Sequence, residues 1–153
     1  MQGVGDGCQP LISLYYGKKD PVGVKHTVGA AYITALAISF VCMAGVFFAR
    51  GKVGMLFGAS GDANTGVIRY LPYFLAPMLF LAFVRITTSY YYATEKNILS
   101  YTLVYAEPIL TFVLLLILPA SLALEGVWLA VPIAQGITFL IALSEKLVLS
   151  KGK

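Results

Sequence analysis

Charge is what this chain has least of. Only 12% of its 153 residues are Asp, Glu, Lys or Arg, while 59% are hydrophobic and the mean hydropathy is +0.83. A soluble domain carries about a quarter charged residues, so composition excludes a water-soluble fold. It points to an all-α, polytopic integral membrane protein whose first partner is the lipid bilayer. Histidine is nearly absent: His26 stands alone, which argues against a His-based metal site and leaves no HExxH, Ser/His/Asp or Cys/His arrangement. Catalysis has no visible seat, no cofactor is called for, and the chain is not read as an enzyme. Cysteine is equally scarce. Cys8 and Cys42 form no paired framework, and Cys42, inside an apolar run, is expected to pack as a small hydrophobe. The glycine-rich start is not followed by Gly-Lys-Ser/Thr, so it is no phosphate loop. The first residues lack a basic n-region and an apolar core, so a cleavable signal peptide is not expected. The net charge of +4 comes from residues scattered at the ends of apolar runs, which set topology and form no nucleic-acid-binding patch.

What the chain does have is long apolar runs. A bilayer core requires about 20 such residues per helix. Full spans are predicted over residues 27–49, 70–92, 98–119 and 127–148, with a glycine-rich loop over 50–69 in which Met55-Leu-Phe57 touches the interface. Residues 2–16 are too short to cross and look like the second half of a helix, stopped at Gly17 before Lys18-Lys19-Asp20-Pro21, so they read either as a re-entrant segment or as the tail of a longer helix. The chain is therefore treated as one partial transmembrane domain over residues 1–153. In the first full span, Gly29, Ala30, Ala37 and Gly45 are the residues expected to admit a neighbouring helix closely. Alternating spans put Lys18, Lys19, Lys25, Lys96, Lys146, Lys151 and Lys153 on one side, against Arg50, Lys52 and Arg69 on the other. That imbalance predicts a cytoplasmic C-terminus. Tyr70, Tyr73 and Trp128 then fall at the outer interface, and Tyr15, Tyr16, Tyr91, Tyr92 and Tyr101 at the inner one.

Two charges interrupt the hairpin formed by the second and third full spans. Arg85 lies 11 residues before Lys96 in its turn and Glu107 lies 11 after it. Both therefore sit about 16 Å from the turn, near mid-membrane. Short-turned antiparallel helices are usually neighbours, which makes an Arg85–Glu107 pair geometrically simple. Each residue also sits on a polar stripe: Arg85 with Thr88, Ser89 and Tyr92, Glu107 with Ser100 and Thr111. Pro108 leaves the Val104 carbonyl without its intrahelical donor beside the carboxylate. Two readings stand: a pair that only fastens helices, or part of a substrate and ion pathway. Gln135, with Thr138 a turn later, is a further pathway candidate, although such a residue more often serves as interhelical glue.

The order of these pieces resembles the C-terminal lobe of the multidrug and toxic compound extrusion (MATE) transporters. Gln9-Pro10-Leu-Ile running to Tyr16-Gly17 is similar to that family's recurring helix end. Leu56-Phe57 with Asp62 and Tyr70-Leu71 resembles its outer loop, Tyr92-Ala-Thr-Glu-Lys96 its cytoplasmic turn, and Ile117-Leu-Pro119 with Gly126 to Pro132 the join of its last two helices. The resemblance implies the end of the eighth helix and helices nine to twelve of a fold of two six-helix lobes facing a central cavity. It implies export of organic, often cationic compounds across the cell membrane in exchange for protons or sodium. It also implies a fragment whose partner is a missing N-terminal lobe. The tenth helix here carries Arg85 and no acid, so no ion-binding residue is carried over. A flippase for lipid-linked sugars and a small non-transporting membrane subunit are the alternatives.

Overall fold

The computed structural model describes residues 2–56, 58 and 61–151, without the side chains at 2, 55, 62, 63, 150 and 151. Phe57 and the side chains of Met55 and Asp62, named above, lie outside what is described, as do the Lys151 side chain and Lys153. Every element is an α-helix: α1 Gln2–Gly17, α2 Pro21–Leu56, α3 Gly61–Leu75, α4 Met78–Ala93 and α5 Asn97–Lys151. Helix is the expected outcome for an apolar open chain, because it satisfies each backbone N–H and C=O within the segment.

The two short turns on the Lys96 side are built alike. At the end of α1, Asp20 N–H reaches the Tyr15 carbonyl at 3.0 Å and Lys19 N–H the Tyr16 carbonyl at 3.0 Å. At the end of α4, Lys96 N–H reaches Tyr91 at 2.9 Å and Glu95 N–H reaches Tyr92 at 3.3 Å. Each is a Schellman cap, and the left-handed position is filled by Lys19 (φ 55°) and Glu95 (φ 59°). Gly17, expected to supply the stop, is instead the last residue of α1. Asp20 then starts α2: its carboxylate accepts from Val22 N–H at 3.1 Å and Gly23 N–H at 3.0 Å, with Pro21 in the first turn.

Three features differ from the sequence expectation. The 50–69 stretch is largely helical: α2 continues to Leu56 and α3 begins at Gly61. Glycine lowers helix propensity by about 1 kcal/mol but does not forbid a helix that can cap itself in the bilayer. The span over 70–92 is broken, with α3 and α4 meeting at 42° across Ala76-Pro77. Pro72 and Pro77 remove consecutive turns of backbone donors there, and Ala76 N–H still reaches Pro72 O at 3.2 Å. Finally, α5 is a hairpin rather than one rod. Gln135 bonds Glu107 across 28 residues, a separation of about 42 Å in a straight helix. The reversal is at Ala123, whose φ 49° and ψ −128° are outside the helical region. Gly126 sits against the Leu118 carbonyl and Pro119 nitrogen so closely that a Cβ would collide with both.

α4 is the hub, packing against α1, α2 and α5. On one side Ala82, Ile86 and Ala93 join Cys8 and Ile12 of α1 and Ala31 and Ala35 of α2. On the other, Val84 and Tyr91 join Leu103 and Ala142 of the two α5 arms. The close-packing stripe of α2 is thus Ala31, Ala35 and Ser39, at four-residue spacing. The small residues singled out from sequence lie elsewhere: Ala30, Ala37 and Gly45 are exposed, and no atom of another element lies within 4 Å of where a Cβ would stand at Gly29. Cys42 is exposed rather than packed, whereas Cys8 is buried. Composition cannot tell which of several small stripes faces a neighbour, since all are apolar and lipid accepts the rest.

Two stability outcomes are expected. Gly126→Ala should lower stability in detergent by about 1–3 kcal/mol, because the Leu118–Pro119 backbone has no room to give. Glu95→Gly should raise it by about 1 kcal/mol, by relieving a left-handed non-glycine residue without touching a contact. Thermal and denaturant unfolding followed by circular dichroism measure both.

Candidate functional site

The charged hairpin closes at mid-length. Arg85 Nη2 of α4 lies 3.5 Å from Glu107 Oε2 on the first arm of α5. The other carboxylate oxygen, Oε1, accepts from Gln135 Nε2 of the second arm at 3.2 Å. One carboxylate therefore joins three helical segments, each oxygen engaged by a different neighbour. Side-chain exposure of 38% for Arg85 and 22% for Glu107 leaves both reachable from one side. On the inner side, the gap bounded by Leu81, Val84, Glu107, Gln135 and Thr138 is too tight to admit a water molecule. Such a carboxylate is an acceptor with one guarded and one open side.

The polar stripes divide. Thr88 is buried, donates its hydroxyl to the Val84 carbonyl at 2.9 Å, and offers its own carbonyl to Ser100 Oγ at 3.3 Å. It belongs to the α4–α5 seam. Ser89, one residue on, turns toward α1, where a Cβ at Gly5 would stand 2.7 Å from its hydroxyl oxygen. Gly5 is what lets α1 approach the α4 backbone. Thr111 is half-buried one turn beyond Glu107, and no hydrogen bond among the described residues ties it to the cluster. Gln9 is half-buried and Pro10 exposed, both within α1 and away from the carboxylate. Arg85, Glu107 and Gln135 thus come together, Thr138 borders them and donates to Ala134 O at 2.9 Å, and Ser89, Thr111, Gln9 and Gly17 stand apart.

Two further clusters escaped the sequence reading. At the α5 reversal, Arg69 Nη2 lies 3.3 Å from Glu125 Oε1, which also accepts from Tyr70 Oη at 3.4 Å. Tyr70 stacks on Trp128 at 5.2 Å, and Phe74 meets the same indole edge-on at 5.5 Å. This clasp holds α3 to the second α5 arm. The interface aromatics hinted at it, but Glu125 had no partner to be matched with until the hairpin closed. Below it, a cleft of about 440 Å³ opens at the α3–α4 break, lined by Pro72, Pro77 and Pro132 with Tyr73 and Phe80. The second cluster surrounds Lys146. Its ammonium, assigned from sequence to the polar end of the last span, instead lies over the rings of Tyr32 and Phe83.

Removing one partner of the central clasp leaves the other charge in apolar surroundings. Arg85→Leu should cost about 2–4 kcal/mol of stability, and Arg85→Leu with Glu107→Leu should recover most of it. Denaturant titration of the single and double variants in one detergent measures the difference.

Comparison with known proteins supplies the frame for this geometry. No curated protein and no solved structure matches the chain. The MatE family model matches residues 1–117, which takes in α1 to α4 and the first arm of α5 through Glu107. That is most of the chain, and it agrees with the all-helical architecture and the apolar lengths of α2 and α5. The chain belongs to the MatE family of membrane transporters.

Proposed function

We propose that this chain forms part of the C-terminal lobe of a secondary active exporter of organic cations and drug-like compounds. The exporter is driven by a proton or sodium gradient and works in the cell membrane with a complementary N-terminal lobe. The observation that carries the reading is the Arg85–Glu107–Gln135 clasp within a MatE-family helical lobe. A carboxylate at this depth is costly to keep and is spared only where it is paired or used. Glu107 is paired on both oxygens yet remains reachable, so an arriving proton or sodium ion competes with Arg85 for it. Pro108 supports this role by freeing the Val104 carbonyl close to the carboxylate.

Breaking the Arg85 contact removes the charged tie between α4 and the first arm of α5 at mid-length, and α4 is the hub of the packing. Local charge exchange is thereby linked to helix position, which a coupled transporter requires. Arg85 and Glu107 both keep part of their side chains exposed, which leaves the pair open to an ion. The basic residues of the Gly17–Lys25 turn and the Lys96 turn favour the cytoplasm for that side of the molecule. The C-terminus lies there too.

A flippase for lipid-linked sugars would be favoured by several basic side chains around the cavity, and here Arg85 is the basic residue of the clasp. The test is ethidium efflux from cells producing the complete transporter. Glu107→Gln should abolish ion-driven efflux, at least ten-fold below the unaltered protein, while membrane insertion and expression stay unchanged. Undiminished efflux in that variant would leave the clasp a purely structural fastening.

A further inference from the structure

Lys146 is the least expected side chain in the structure. A lysine at the end of a membrane span ordinarily extends its ammonium toward water. Here Nζ lies 4.1 Å from the centre of the Tyr32 ring and 5.0 Å from that of Phe83. The two rings stack on each other at 5.1 Å with 26° between their planes. Tyr32 is fixed in turn by a 2.7 Å hydrogen bond between its hydroxyl and Thr87 Oγ1. Among the described residues no carboxylate lies within ion-pair distance of Lys146. Glu145, its neighbour in sequence, leaves Oε2 buried without a hydrogen-bond partner. The ammonium is therefore held by aromatic faces contributed by α2 and α4, and no salt bridge among the described residues neutralises it.

Ring faces attract cations through the aromatic quadrupole, and they do so best when the cation is weakly hydrated. A lysine ammonium is a compact, strongly hydrated charge. Alkylated organic ammonium groups shed water more readily and fit such faces better. The cage is also not isolated. Phe83 meets Phe139 edge-on at 5.2 Å, and Phe139 stacks on Phe80 at 4.8 Å. Phe80 lines the cleft at the α3–α4 break. A chain of aromatic ring contacts thus runs from that cleft to the two rings.

We propose that Tyr32 and Phe83 form a subsite for the ammonium group of an organic cation, and that Lys146 is a tethered competitor which fills it when no cation is bound. The inference rests on the organic-cation reading for the class of its natural ligand. Tethering gives the lysine a high effective concentration at the rings, so a free cation binds only as far as it displaces Lys146. Displacement in turn releases the second arm of α5 from α2, to which Lys146 is a side-chain bridge.

The experiment uses the full chain in detergent micelles with benzyltrimethylammonium as probe and neopentylbenzene as its uncharged isostere. Calorimetry should give Lys146→Met at least ten-fold tighter binding of the cation and no comparable gain for the isostere. Tyr32→Leu added to Lys146→Met should return the affinity to that of the unaltered chain. A second readout needs no variant: saturating cation should shift the side-chain NMR signals of Lys146 out of their ring-current position. No gain in Lys146→Met, an equal gain for the isostere, or an unmoved Lys146 signal at saturation would each overturn the proposal. Efflux that depends on Glu107 while the cage fails to bind would remove the subsite alone. Cage binding without efflux in the complete transporter would remove the exporter reading and leave the subsite.

Discussion

Inside a bilayer no solvent is available to repair an unpaired charge, and this constraint organises the chain around Glu107. Its two oxygens are divided between Arg85 on α4 and Gln135 on the second arm of α5. Each partner lies on a segment that reaches it only if a turn is made correctly. The Schellman cap at Glu95 brings α4 and the first arm together, and the Ala123 reversal brings the second arm alongside. A slip of a single turn in either helix would move the partner about 5.4 Å and leave a charge facing hydrocarbon. Polar atoms here act as a register device, a role that apolar packing alone performs poorly in lipid.

The remaining polar features repeat this logic at the two ends of the lobe. At the α5 reversal, Arg69, Glu125, Tyr70 and Trp128 clasp the broken span to its neighbour. At the far end of α5, Lys146 finds aromatic faces instead of a carboxylate. The three clusters differ in strength and reach. The central clasp is half-withdrawn from the surface, the Arg69–Glu125 pair is exposed and so contributes little to stability by itself, and the lysine is held by polarisable rings. A transporter lobe has use for such a gradation, because the parts that must move cannot all be fastened equally.

The break at Ala76-Pro77 belongs to the same account. Two prolines five residues apart remove donors from one stretch of helix and open a cleft between α3, α4 and Pro132. The aromatic series from Phe80 through Phe139 to Phe83 and Tyr32 begins at that cleft. The break and the ring series are thus adjacent features of the packing around α4.

Much of this was legible in the residues alone. Charge scarcity and long apolar runs determined an all-helical membrane protein, and family membership followed from ordered motifs spread along the chain. Equal spacing of Arg85 and Glu107 from the Lys96 turn determined that they could meet, because helical rise is constant. Only tertiary structure decided which neighbours each helix face would meet. Ala31 and Ala35, not Gly29 and Gly45, became the packing stripe, Ser89 parted from Thr88, and Lys146 turned inward. The physical reason is that lipid and a neighbouring apolar helix are nearly equivalent environments for a small or aliphatic side chain. Periodicity therefore shows that a face exists, and only the closing of turns such as Ala123 and Glu95 selects what it touches.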